Sequence, residues 1–115
     1  MAKTYNLEYL EEISAGDKEF IVDMLNDFVT NTPGSLAEMD GYIASENWDE
    51  LYKTVHRFIP SFEFVGAENV RNNLRIIESC AKNKTNLEKI PQLIEGVKIF
   101  CTQVITEIKT DFKIL

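Results

Sequence analysis

NWDELYKTVHRFIPSFEFVGA, residues 47–67, sets its apolar side chains at Trp48, Leu51, Val55, Phe58, Ile59, Phe62 and Val65. At ~100° per residue these positions share one stripe of a helix, and no period-two alternation competes with that reading. Asn47 followed three residues later by Glu50 marks the start as a capping-box-like pair, with Asn in place of the usual Ser or Thr. Gly66 marks the end. Tyr52, His56, Pro60 and Glu63 line the flank of the stripe, with Lys53 and Arg57 further out on the wet side. Pro60 removes a helical hydrogen bond to the carbonyl of residue 56 and crowds the preceding turn, so a kink is expected there. His56, the single histidine of the chain, is therefore expected at the edge of the core, within reach of a partner.

The same reasoning extends in both directions. Towards the N-terminus, Thr32 suits a cap and Pro33 the first position of a helix that would bury Leu36, Met39, Tyr42 and Ile43, weakened by Gly41. The residues 31–34 separate it from a preceding helix capped by Asp17, whose apolar row is Phe20, Ile21, Met24, Leu25, Phe28 and Val29. A short helical segment with Leu7, Leu10 and Ile13, ended by Ser14-Ala15-Gly16, is expected to lie as a lid across one end. Towards the C-terminus, Val70, Leu74, Ile77 and Ala81 form the next buried row, followed by a polar break over residues 82–86. Thr85 with Glu88 repeats the capping pattern, and a helix entered near Pro91 carries Ile94, Val97, Cys101, Val104 and Ile108 towards Phe112. The fold class is all-α: an up-and-down four-helix bundle with extra N-terminal helices, its core built by the helices starting near residues 17, 47, 67 and 91.

Composition bounds the function. A chain of 115 residues fits one domain, 1–115, able to bury roughly two thirds of its unfolded surface. With 44% hydrophobic and 27% charged residues it reads as globular, and its apolar runs are too short to span a membrane or serve as a signal peptide, so a cytoplasmic location is expected. A net charge of −7 with twelve scattered basic residues argues against binding nucleic acid. Cys80 and Cys101 lack metal-type spacing and fall on apolar rows, so they read as reduced core thiols, and no metal site is expected.

His56 remains as the chemical group. No cysteine, serine or acidic pair stands near it at hydrolase spacing, and a hydrolase would need nucleophile, base and oxyanion donors assembled together. Accepting a phosphoryl group needs less: one exposed neutral imidazole nitrogen and a surface on which the donor docks, since a donor can bring the metal and the charge-neutralising groups. An unperturbed imidazole, with a pKa of about 6.5, is substantially neutral near pH 7.

The run His56-Arg57-Phe58-Ile59-Pro60-Ser61-Phe62-Glu63-Phe64-Val65-Gly66-Ala67 resembles the active helix of histidine-containing phosphotransfer (HPt) domains, whose pattern has the form H-x-L-K-[GP]-S-[SF]-x-x-x-G-A. His56, Pro60, Ser61, Phe62, Gly66 and Ala67 match, and Phe58 stands for the leucine. The likeness continues through Leu7 and Leu10, Gly16-Asp17 and Phe20, the Phe28 to Pro33 segment, Asn47-Trp48, Ile77-Glu78 and the Pro91-started final helix. The resemblance implies a helical bundle that relays a phosphoryl group between receiver-domain aspartates through phospho-His56. It would be a phosphocarrier in a two-component system rather than an enzyme with its own turnover. It implies response regulator receivers and a hybrid sensor histidine kinase as partners, Mg²⁺ held by the receiver and no cofactor on this chain, which is expected to be a monomer.

One position departs from the family. Its lysine three residues after the histidine is Ile59 here, which leaves Arg57 and Lys53 as the nearby cations. The residues expected around the phosphoryl group or at the docking surface are thus Tyr52, Lys53, Arg57, Ile59, Pro60, Glu63 and Gly66, with Glu63 a candidate to orient the imidazole. Loss of the lysine also admits an alternative, a degenerate HPt-like module that docks receivers without efficient transfer.

Overall fold

The computed structural model describes residues 5–113. Five α-helices and one 3-10 turn make up the described chain: α1 Glu8–Ser14, α2 Lys18–Ala44, α3 Trp48–Phe64, α4 Glu68–Asn83, the turn Leu87–Lys89, and α5 Ile90–Phe112. Among the described residues there is no strand, and no helix is long and apolar enough to cross a membrane. Helices α2 to α5 form the bundle. Each packs on the next, most extensively α4 on α3, and α5 closes the ring against α2. The core takes Leu25 and Met39 from α2, Leu51, Val55 and Phe62 from α3, Leu74 and Ile77 from α4, and Val97 and Ile108 from α5.

The boundary at residues 31–34 is corrected. Two helices were expected there; α2 runs unbroken for 27 residues with Pro33 inside it. Thr32 is no cap: it is buried, and its hydroxyl donates to the Phe28 carbonyl at 2.6 Å. An interior proline costs a helix about 3 kcal/mol. Burial on both sides of it, of Phe28 and Val29 before and Met39 after, offsets that cost, a tertiary term that local punctuation does not report. Pro60 is carried in the same way. α3 is one helix to Phe64, with Phe58, Ile59 and Phe62 all buried around the proline.

Capping follows the sequence at two of the expected starts. Asp17 accepts from the Phe20 N–H at 3.2 Å and Asn47 from the Glu50 N–H at 3.4 Å. The reciprocal half of the second box is absent, since the Asn47 N–H donates to the Tyr42 carbonyl and Glu50 pairs with Lys53. Thr85 does not cap; the position before the 3-10 turn is Asn86, and α4 itself extends through Lys82 to Asn83. Phe20 is also corrected, being 41% exposed because Ile21, Leu25, Phe28 and Thr32 take the core-facing line of α2 and leave it ~100° to one side. Cys80 and Cys101 are buried free thiols, and burial pushes the Cys101 thiol up to about 12.

The N-terminal segment lies across the end of α3, as a lid. The Asn6 N–H donates to the Val65 carbonyl at 2.8 Å, the Tyr9 ring packs tilted against Phe64 with centroids 5.6 Å apart, and the Tyr5 hydroxyl donates to Asp111 at the end of α5. Gly66, at φ +63°, makes this possible: a Cβ there would stand 2.4 Å from the Asn6 carbonyl oxygen. Gly34 and Gly41 differ, for a Cβ on either meets nothing within 4 Å. We predict that Gly34→Ala and Gly41→Ala each stabilise the protein by about 0.5–1 kcal/mol, whereas Gly66→Ala destabilises it by about 2 kcal/mol or more. Urea unfolding of the three variants checks both signs, and a loss of stability at Gly34 would contradict a continuous α2.

Candidate functional site

α3 buries one side and leaves His56 on the other, with 68% of its side chain exposed. Val55 and Ile59 beside it are buried, so the backbone beneath the imidazole is held by packing while the ring stands in solvent. The ring is not free to turn. Its Nδ1 lies 2.6 Å from Oε2 of Glu78 on α4, a carboxylate whose own side chain is only 20% exposed. An ionised carboxylate only accepts, so this contact places a proton on Nδ1, and in the neutral ring the lone pair is then the one on Nε2. One turn earlier, Tyr52 is half-buried and its ring centroid is 6.0 Å from that of His56. Glu50, Tyr52, Lys53, His56 and Arg57 line a shallow groove at the surface.

The expected neighbours divide into those gathered at the imidazole and those engaged elsewhere. Lys53 is 3.6 Å from Glu50, and the Arg57 guanidinium donates back to the Thr54 hydroxyl at 3.4 Å. Ile59, 5% exposed, belongs to the core and offers nothing to an anion. Pro60 is exposed one turn beyond His56. Glu63 does not orient the imidazole, because it pairs with Arg75 of α4 at 2.9 Å. The face of Gly66 is occupied by Asn6.

Glu78 is the partner that reading α3 alone misses. A usable signal lay in the hairpin: α3 and α4 run away from the turn at Gly66, and residues at similar distances from it come level. His56 with Glu78, and Asp49 with Lys84 at 3.3 Å, are such pairs, and Glu63 with Arg75, further along α4, adds a third rung to the ladder across the two helices. Among the described residues no group of His, Cys, Asp or Glu is placed to hold a metal ion.

The fold is similar to that of a solved structure, the HPT domain of a hybrid sensor histidine kinase from Shewanella, with a TM-score of 0.81 over 97% of this chain and 96% of that one. This chain has the HPt fold. The two sequences are 17% identical, and neither a family model nor a curated protein sequence matches the chain. At 17% identity the likeness is one of fold.

The Glu78 contact can be tested without any partner. We expect Glu78→Ala to broaden or shift the imidazole resonances of His56 in a ring-directed ¹⁵N spectrum, towards a mixture of tautomers. Glu78→Gln, which keeps an acceptor, should retain the Nδ1–H form; an unchanged spectrum in Glu78→Ala would remove Glu78 from the site.

Proposed function

We propose that this protein is a cytoplasmic phosphocarrier of a two-component relay, in which His56 takes a phosphoryl group from one receiver-domain aspartate and gives it to another. The observation that carries this reading is the held imidazole: Nδ1 engaged by Glu78 at 2.6 Å, in a side chain 68% exposed on the outer face of α3 in an HPt fold. In the forward step the Nε2 lone pair attacks phosphorus, the Nε2–P bond forms, and the P–O bond to the donor aspartate breaks, releasing a carboxylate. Nδ1 keeps its proton throughout, and the positive charge that develops on the ring faces Glu78. The second transfer is the reverse with another carboxylate. Charge on the transferring oxygens would be neutralised by a Mg²⁺ ion held by the receiver. Partners of this kind, a hybrid sensor kinase and response regulators, dock over the exposed face around His56; no turnover reaction belongs to this chain alone.

The buried Ile59 supports a second reading, in which the bundle docks receivers without efficient transfer. Mixing the protein with phosphorylated receiver domains separates the two. Transfer predicts acid-labile, base-stable label on the wild type and none on His56→Gln; receiver binding without label would establish the docking module. Glu78→Ala should lower the transfer rate about tenfold, the equivalent of about 1.4 kcal/mol, near the low end for a hydrogen bond to a charged group. Glu78→Gln should fall between, since it orients the ring without facing its charge.

A further inference from the structure

Beside the α3–α4 ladder stands Lys82, a cation that the ladder's ion pairs do not use. Lys82 lies in the last turn of α4, one turn beyond Glu78 and on the same side, and its Nζ stands 5.6 Å from the centroid of the Tyr52 ring. Tyr52 in turn is the ring next to His56, at 6.0 Å between centroids. Lys82 therefore lies one aromatic ring away from the imidazole, across the helix pair from it. Of the other cations, Lys53 pairs with Glu50, Arg75 with Glu63 and Lys84 with Asp49, Arg57 bonds the Thr54 hydroxyl, and Arg71 lies seven residues before Glu78, towards the Gly66 end of α4. Among the described residues Lys82 makes no ion pair, although Glu78 is its neighbour four positions earlier, because that carboxylate is turned to His56.

We propose that Lys82 is the phosphate-binding cation of this site, supplying from α4 the charge that position 59 of α3 lacks. This rests on the reading of His56 as the phosphoryl acceptor. A solvated lysine on a helix surface would gain little from a lone anion. Here the Tyr52 face holds the flexible stem beside the site through a cation–π contact, which lowers the entropy lost when the ammonium closes on phosphate oxygens. A phosphoryl group on Nε2 brings a dianion to the groove, and the four-carbon stem lets Nζ swing from the ring edge towards it. Tyr52 then acts as a rest position for the cation, and Glu78 and Lys82, one turn apart on α4, divide the work: one faces the imidazole, the other the phosphoryl oxygens.

The test uses phosphoramidate as a small-molecule donor, so that no receiver is needed. Nε2 attacks its phosphorus, the P–N bond to the donor breaks, and ammonia leaves with a proton. Phosphorylation is followed by ³¹P NMR on the whole protein. We expect Lys82→Met to slow phosphorylation of His56 at least threefold, Lys82→Arg to restore most of the rate, and Lys53→Met to change it less than Lys82→Met does. Added salt should slow the wild type more than Lys82→Met, a screening effect that a merely structural lysine would not produce. An equal rate and equal salt dependence in wild type and Lys82→Met would overturn the proposal while leaving His56 as acceptor. Conversely, a wild type that is labelled by phosphoramidate with this Lys82 dependence but receives nothing from phosphorylated receivers would support the cation and defeat the relay. No labelling of His56 by phosphoramidate would overturn both.

Discussion

Everything at this site depends on the turn that joins α3 to α4. Gly66 at φ +63° reverses the chain, and the Asn6 backbone lies so close on it that no side chain fits. The turn is therefore pinned from outside as well as by its own conformation. It fixes the register of two helices that then run in opposite directions, and the register decides which α4 side chains stand level with which on α3. His56 is ten residues before the glycine and Glu78 twelve after it, on helices with closely matched rise. A slip of one residue along α4 would rotate Glu78 by ~100° out of reach of the imidazole. The glycine thus acts on the histidine from a distance, through geometry alone.

Packing supplies the rigidity that register alone does not. Phe62 is fully buried, with Phe28 of α2 edge-on at 5.2 Å and Phe58 of its own helix at 4.7 Å. Such edge-to-face contacts add about 0.5–1.5 kcal/mol each beyond burial and restrict how α3 can roll about its axis. Ile59 extends the same apolar face. Its presence trades a charge close to the histidine for additional core, and the exposed face of α3 is correspondingly left with an imidazole whose electrostatic company comes from the neighbouring helix.

Much of this was legible beforehand. The apolar rows of α3, α4 and α5 pointed to the correct faces, because in each the buried positions are consecutive turns of one helix and periodicity reports them directly. Asp17 and Asn47 marked their helix starts because a cap acts within three residues. Where the sequence misled, the deciding term was non-local. Thr32-Pro33-Gly34 has the composition of a break, and only burial of the flanking Val29 and Met39 carries α2 through it. Glu63 and Glu78 are indistinguishable as single carboxylates on helices; Arg75 claims the first, and the hairpin register delivers the second. Lys82 stands where the helical row of residues 67–84 meets a run of polar residues, and its place on the Glu78 side of α4 follows once the helix is seen to continue to Asn83.

The ring of helices also has a kinetic character. α2 with α3, α3 with α4, and α4 with α5 are neighbours in sequence, so each of those seams closes over a short connection at small entropic cost. The seam between α2 and α5 is different. It joins groups such as Asp40 and Lys98, 2.8 Å apart in space and separated by the whole of α3 and α4 along the chain. Three seams are local and one is topological, so the face that carries His56 and Glu78, which lies on the local side, is assembled from contacts that do not wait for the bundle to close.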